Sequence, residues 1–192
     1  MDKENKVQFN LKNVHYAILD ESSGKPAFST PVAVPGAVNL NLSQQGEISP
    51  FYADGLVYYQ SVNNNGYSGD LEMARFLDQM LQEVWGFVLG STDKVLVENA
   101  ANEVKAFALL FQIDGDVGND LYCLYKCTGT RPAITGATNT DTKTPQTQKS
   151  TISAVPLPDG DVMARTTSTT PADVRSNWFK SVYRRSDAAA AG

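Results

Sequence analysis

One run near the end of the first third of the chain limits what it can fold into. Ile48-Ser49-Pro50-Phe51-Tyr52-Ala53-Asp54-Gly55-Leu56-Val57-Tyr58-Tyr59 continues into Gln60-Ser61-Val62-Asn63-Asn64-Asn65-Gly66-Tyr67-Ser68-Gly69-Asp70-Leu71-Glu72. Leu56 to Val62 is rich in aromatic and β-branched residues, and Asp54-Gly55 and Asn65-Gly66 punctuate it, which predicts a short strand between turns. The stretch before it, Glu47 to Asp54, reads as a loop. It carries Ile48, Phe51 and Tyr52, apolar groups that a solvated loop does not normally present. Such side chains either fold back onto their own sheet or insert into a neighbouring subunit. The second outcome is the expectation taken forward. Glu47, Ile48, Pro50, Phe51, Tyr52 and Asp54 then form the inter-subunit loop, with Phe51 and Tyr52 as buried anchors.

A chain of 192 residues suits one domain with short arms and is long enough to bury a core. Its hydrophobic fraction of 42% and charged fraction of 19% are those of a globular protein rather than a disordered one. No apolar stretch approaches the roughly 20 residues that cross a bilayer, so no membrane partner is expected. The first residues are charged and lack the apolar segment of a secretory signal, which predicts folding in the cytoplasm. Net charge is −5, and the only basic cluster is Arg184-Arg185. That balance argues against a protein that grips nucleic acid, although an acidic channel would repel DNA and keep it mobile.

Cys123 and Cys127 share one apolar run, Leu121 to Cys127, that reads as a strand. Four strand steps separate their Cα atoms by about 13 Å, beyond the roughly 7 Å reach of a disulfide. With no further Cys-x-x-Cys and no nearby histidine to complete a zinc site, both are expected to be reduced.

Along the chain, His15 to Leu19 reads as a first strand. Pro26 to Gly36 holds too many prolines for a central strand and is assigned to an edge. Val38, Leu40 and Leu42 alternate with polar residues, as in a strand with one wet face. Leu71 to Gly86 is ambiguous: Leu71, Ala74, Leu77, Leu81 and Val84 recur at helical spacing, and periodicity alone supports a single helix from about Asp70 to Trp85. Ala106 to Ile113 and Leu121 to Cys127 flank a Gly/Asp/Asn turn and predict a β-hairpin. Gln146 to Ala154 alternates as a strand exposed on one side. Thr170-Pro171-Ala172-Asp173 predicts a helix start with Thr170 as cap, and Val174, Trp178 and Val182 supply its apolar stripe.

No residue constellation suits catalysis. Asp114, Asp116, Asn119 and Asp120 suggest a calcium loop, but Gly118, Asn119 and Tyr125 stand where an EF-hand requires an oxygen ligand, glycine and glutamate. His15 is the only histidine and has no evident nucleophile partner. Asp159-Gly160-Asp161 fits a turn better than acid–base chemistry. Neither a phosphate-binding loop nor a dinucleotide fingerprint occurs. No enzyme activity, cofactor or metal is expected.

Taken with Thr30 to Val38, Gly90-Ser91-Thr92-Asp93-Lys94, Leu109 to Asp116 and Cys127-Thr128-Gly129-Thr130-Arg131-Pro132-Ala133, the opening run resembles the major tail (tail-tube) proteins of long, non-contractile-tailed phages of Gram-positive bacteria. The resemblance spans roughly Lys6 to Tyr183 and rests on the order of these motifs rather than on any one of them. It implies a mainly β fold, a β-sandwich or partly closed barrel with one or two short flanking α-helices. It also implies a strand to about Phe76 followed by a helix over Leu77 to Trp85, and this shorter helix is the expectation taken forward. The corresponding organisation is an N-terminal arm at 1–5, a tube domain at 6–183 and a C-terminal tail at 184–192. Lys6 to Asn10 and Arg184 to Gly192 are further candidates for arms that order on assembly.

In the resembled family six subunits form a ring and rings stack head-to-tail into the tube of a virion tail. The partners implied are the chain itself, tape-measure, tail-tip and tail-terminator proteins, and DNA in transit. The Thr-rich face of Gln146 to Ser153, with Thr147, Lys149, Thr151 and Ser153, is the expected channel lining. Two other readings stay open: a tube protein of a contractile secretion or bacteriocin system, and a monomeric β-sandwich binding module.

Overall fold

The computed structural model describes residues 4–139, 141 and 143–185. Its first strand, β1 (Gln8–Asp20), carries two short antiparallel neighbours, β2 (Ala27–Phe28) and β3 (Val32–Ala33). Pro26, Pro31 and Pro35 interrupt that segment and hold it to short pairings at the margin, because proline lacks the N–H a ladder needs. Then come β4 (Ala37–Gln45), β5 (Ile48–Ala53), β6 (Leu56–Val62), β7 (Gly66–Met73) and α1 (Asp78–Trp85). A small pair, β8 (Val88–Leu89) and β9 (Leu96–Val97), precedes the long hairpin of β10 (Phe107–Gly115) and β11 (Asn119–Gly129). The described chain closes with β12 (Gln148–Val155), β13 (Met163–Arg165) and α2 (Ala172–Asn177).

Nine strands make one sheet in the order β2-β1-β10-β11-β12-β7-β4, with β3 beside β1 and β13 beside β11. Every pairing in it is antiparallel. The sheet curls without closing. Val14 and Tyr16 of β1 share one core with Leu71 and Met73 of β7, although three strands lie between them in the sheet. Met80, Val84 and Trp85 of α1, with Phe76, fill that concave side. The fold is thus mainly β and sandwich-like, with short helices, as the sequence led us to expect.

The convex side divides into two halves. Over β1, β10 and β11 a second core gathers Ala17, Leu110, Cys123 and Tyr125 beneath Trp178, and Val174 and Val182 pack at its edge. The expected apolar stripe of α2 is therefore the cover of this half. Over β12, β7 and β4 no second core forms among the described residues.

One strand serves both cores because of an irregularity. Leu109 pairs with Leu124 but Phe107 pairs with Cys127, so β11 carries one extra residue between them. The bulge turns Tyr125 to the convex core while returning Cys127 to the concave one. The two cysteines, four positions apart, consequently lie on opposite faces; both are free and buried.

Several expectations need correction. Glu47 to Asp54 is not a loop: Ile48–Ala53 is strand β5, paired with β6. Of the two readings of Leu71 to Gly86, the strand followed by the shorter helix is the one that forms: Leu71 and Met73 are core residues of β7, and α1 covers Asp78–Trp85. Thr170 does not cap α2. Its Oγ1 instead accepts from the Thr167 N–H at 2.8 Å, and its own N–H donates to the Thr167 carbonyl.

Of the residues expected as arms, Gln8, Phe9 and Asn10 already lie in β1. Asn5 Oδ1 accepts from the N–H groups of Val117 and Gly118, and Asn5 Nδ2 donates to the Gly118 carbonyl, which fastens this segment to the β10–β11 turn. Arg184 is not a solvated cation. Its guanidinium lies 4.8 Å from the Tyr125 ring centroid and pairs with Asp159, and with Asp161 at 3.6 Å. The tail from residue 186 onward lies outside the described residues.

Candidate assembly surfaces

The β4–β7 ladder does not stop where the sheet does. After Gln45 pairs with Gly66, the Asn65 N–H donates to Gln45 O and the Asn63 N–H to Glu47 O. The two chains then run on as β5 and β6, from Ile48 opposite Val62 to Ala53 opposite Leu56. At about 3.3 Å per residue, the ribbon from Gly46 to Asp54 extends about 25 Å from the sheet. Gly66 marks its base: it has φ +100°, and a Cβ there would stand 1.9 Å from the carbonyl oxygen of Ala154. Asp54 and Gly55 form its tip with φ of 52° and 77°, the two positive values that a type I′ hairpin turn requires.

No residue of the ribbon from Glu47 to Val62 belongs to either core. Ile48, Phe51 and Tyr52 on β5, and Leu56, Val57, Tyr58, Tyr59 and Val62 on β6, are each more than half exposed. The alternation of a strand puts Ile48, Pro50, Tyr52 and Val57 on one face and Phe51, Tyr59 and Leu56 on the other. A second register shift, after the Phe51–Tyr59 pair, makes Tyr58 the extra residue, and it is 76% exposed. A two-stranded ribbon with apolar groups on both faces and no cover exceeds what a solitary soluble chain normally shows. Of the expected site residues, the structure places Ile48, Pro50, Phe51 and Tyr52 in β5, Glu47 just before it and Asp54 at the tip.

A different chemistry covers the bare half of the sheet. The cross-strand rows there are Asn39–Glu72–Lys149, Asn41–Asp70–Thr151 and Ser43–Ser68–Ser153, read across β4, β7 and β12. Thr151 Oγ1 donates to Asp70 at 2.8 Å, Thr147 Oγ1 donates to Glu72 at 2.5 Å, and Lys149 Nζ lies 4.0 Å from Asp70. Lys149, Thr151 and Ser153 therefore share one face of β12, with Thr147 just before the strand, while Ser150, Ile152 and Ala154 face the core. Two carboxylates face one lysine, so the surface is polar and weakly acidic. The sequence reading missed its contributions from β4 and β7; the alternation of Asn39, Asn41 and Ser43 with Leu40 and Leu42 was the available signal.

An open cleft of about 680 Å³ lies between Asn5, Lys6, the β10–β11 turn and the start of α2. Its Arg175 is committed to structure, donating to the carbonyls of Asn119 and Thr167. Among the described residues, no group of three or more His, Cys, Asp or Glu side chains is arranged to hold a metal ion, and no helix is long and apolar enough to cross a membrane.

No family model and no curated protein matches the chain. Among solved structures it is similar to the tube-terminating cap of the anti-feeding prophage, at 13% identity and a TM-score of 0.45, over 86% of this chain and 96% of that one. At this level the likeness extends to neither family nor function.

Proposed function

We propose that the chain is a structural subunit that self-assembles into the stacked, hexameric rings of a phage tail tube, as a virion component through which DNA leaves. The observation that carries this reading is the ribbon: eight large apolar side chains held outside the subunit's own core. Covering them requires another chain, and a repeated chain supplies the same partner at every step. The open edge at β4 supports lateral pairing with a neighbour, since an edge strand is a template for another strand. The bare half of the sheet suits a channel wall. Its hydroxyls and amides, with Thr147, Thr151 and Ser153 among them, offer a phosphate backbone no cationic grip, and its one lysine, Lys149, stands beside Asp70 and Glu72. Tape-measure, tail-tip and tail-terminator proteins are the further partners of such a tube.

Negative-stain microscopy of the purified chain at high concentration, with light scattering, tests the proposal. Rings or hollow tubes are expected, and Phe51→Asp is expected to suppress them while leaving a folded, soluble subunit. Unimpaired polymerisation of Phe51→Asp removes the ribbon from the interface. One observation favours a second reading: Phe51 and Tyr59, paired across the ribbon on one face, are exposed aromatic rings of the kind that stack on sugars. Saturable glycan binding by a persistent monomer would establish that binding module instead.

A further inference from the structure

The ribbon needs a surface to land on, and the register of the sheet shows where this chain carries one. The ribbon leaves β7 at Gly66, while the other end of β7 pairs Met73 with Gln148 and Ala37. Toward that opposite end the Ala133 N–H donates to Lys149 O, and Arg131 Nη2 donates to the carbonyls of Asn99 and Asn102. Arg131 Nε also lies 2.6 Å from Glu98, and Asn102 Nδ2 donates to Gly86 O. These contacts clamp the β8–β9 hairpin to the end of the sheet away from the ribbon. The hairpin is itself apolar and uncovered: Val88, Val95 and Val97 are each more than half exposed, and Ile134, next in the chain after Ala133, is 96% exposed.

Charge fits the same pairing. The only charged residues from Gly46 to Asn65 are Glu47 and Asp54, both acidic. The β8–β9 turn presents Asp93 and Lys94; the Asp93 carboxylate accepts from the Val95 N–H, and Lys94, which makes no ion pair among the described residues, is the cation available to the ribbon. Resting on the tube reading above, we propose that the β8–β9 hairpin, with Ile134, is the receptor for the β5–β6 ribbon of a second copy of this chain. The contact is head-to-tail and leaves a free ribbon at one end of the stack and a free receptor at the other, so it propagates.

The test uses two full-length variants that each block one end, Phe51→Asp and Val97→Asp. Both sites are exposed, and an unchanged circular dichroism spectrum shows that each variant folds. Each variant alone is expected to need a concentration at least about tenfold higher than the parent chain to stack. Their equimolar mixture is expected to give pairs of stacked units and nothing longer, because only one productive contact remains.

If Val97→Asp stacks like the parent while Phe51→Asp does not, the receptor assignment falls and the tube reading stands. If both variants fail alone and the mixture gives no pairs, the head-to-tail pairing is wrong. A parent chain that never exceeds one unit, together with no cross-link between Asp54→Cys and Lys94→Cys subunits mixed under oxidising conditions, overturns both proposals. A cross-link in that mixture, absent from either variant alone, supports the contact directly.

Discussion

The indole N–H of Trp85 donates to the carbonyl oxygen of Gly129 at 2.9 Å, both groups buried, and so ties the last turn of α1 to the end of β11. Apart from this bond and the one from the Tyr16 hydroxyl to Glu83, helix and sheet meet through apolar packing, which tolerates sliding; the two bonds fix the position of the helix along the strands. Trp85→Phe keeps most of the ring volume and leaves the carbonyl unsatisfied. A loss of about 1–3 kcal/mol is expected, read from the shift of the urea midpoint.

Gly55→Val tests whether ribbon and core are energetically separate. A β-branched residue cannot comfortably hold φ 77°, at a cost of roughly 1–2 kcal/mol in the left-handed region. Because the ribbon packs on neither core, the calorimetric midpoint is expected to stay within about 2 °C. Self-association measured by scattering is expected to be lost. A midpoint that falls as far as it does for Trp85→Phe would show that the ribbon supports its own subunit.

At the other end of the ribbon, Gly66→Ala is expected to harm both properties. The added methyl would meet the Ala154 carbonyl, and the positive φ is itself unfavourable. Separating β7 from β12 is expected to cost about 3 kcal/mol or more. Faster amide hydrogen exchange along β12 would report it.

Burial pushes the Cys127 thiol up to about 12 and raises that of Cys123 as well. At pH 8 neither is a thiolate, so iodoacetamide is expected to leave the native chain unlabelled and to modify both positions in denaturant. Rapid native labelling at either cysteine would contradict the two-sided burial that the β11 bulge produces.

Alkaline pH is expected to destabilise the fold through Tyr16 and Tyr125, whose hydroxyls burial holds well above the ordinary tyrosine range; Glu83, accepting from Tyr16, adds to its shift. An unfolded chain ionises these groups near pH ~10, and the folded one holds the protons longer. Stability is therefore complete below that pH and falls as pH rises beyond it. Denaturation midpoints between pH 8 and pH 11 on the order of one unit apart measure the slope, and Tyr16→Phe is expected to flatten it.

Much of the scaffold was legible because it follows simple periods. The β10–β11 hairpin announced itself by two apolar runs around Asp114 to Asp120, and Gln146 to Ala154 by its alternation. The ribbon was half legible. Pro50 and Ser49 disguised β5 as loop, while Asp54-Gly55 between apolar runs was already the type I′ signature that joins two strands. The bulge in β11 left no mark in the pattern, since Tyr125, Lys126 and Cys127 read equally well in either register. Leu71 fitted a helix and a strand alike, and only pairing with Leu40 and Ser150 decides between them. The β8–β9 hairpin was missed, although Val88-Leu89 and Val95-Leu96-Val97 flank Gly90 to Lys94 as hairpin strands do.

The separation of the ribbon from both cores has an evolutionary consequence. On the proposed assembly, substitutions at Phe51, Tyr58 or Tyr59 answer to partners rather than to either core, whereas those at Leu109, Cys123 or Ile152 answer to folding. Lineages of this chain can thus change which molecules they accept while keeping one scaffold. Divergence along the ribbon would then measure kinship of recognition, and divergence along β10 and β11 the age of the scaffold.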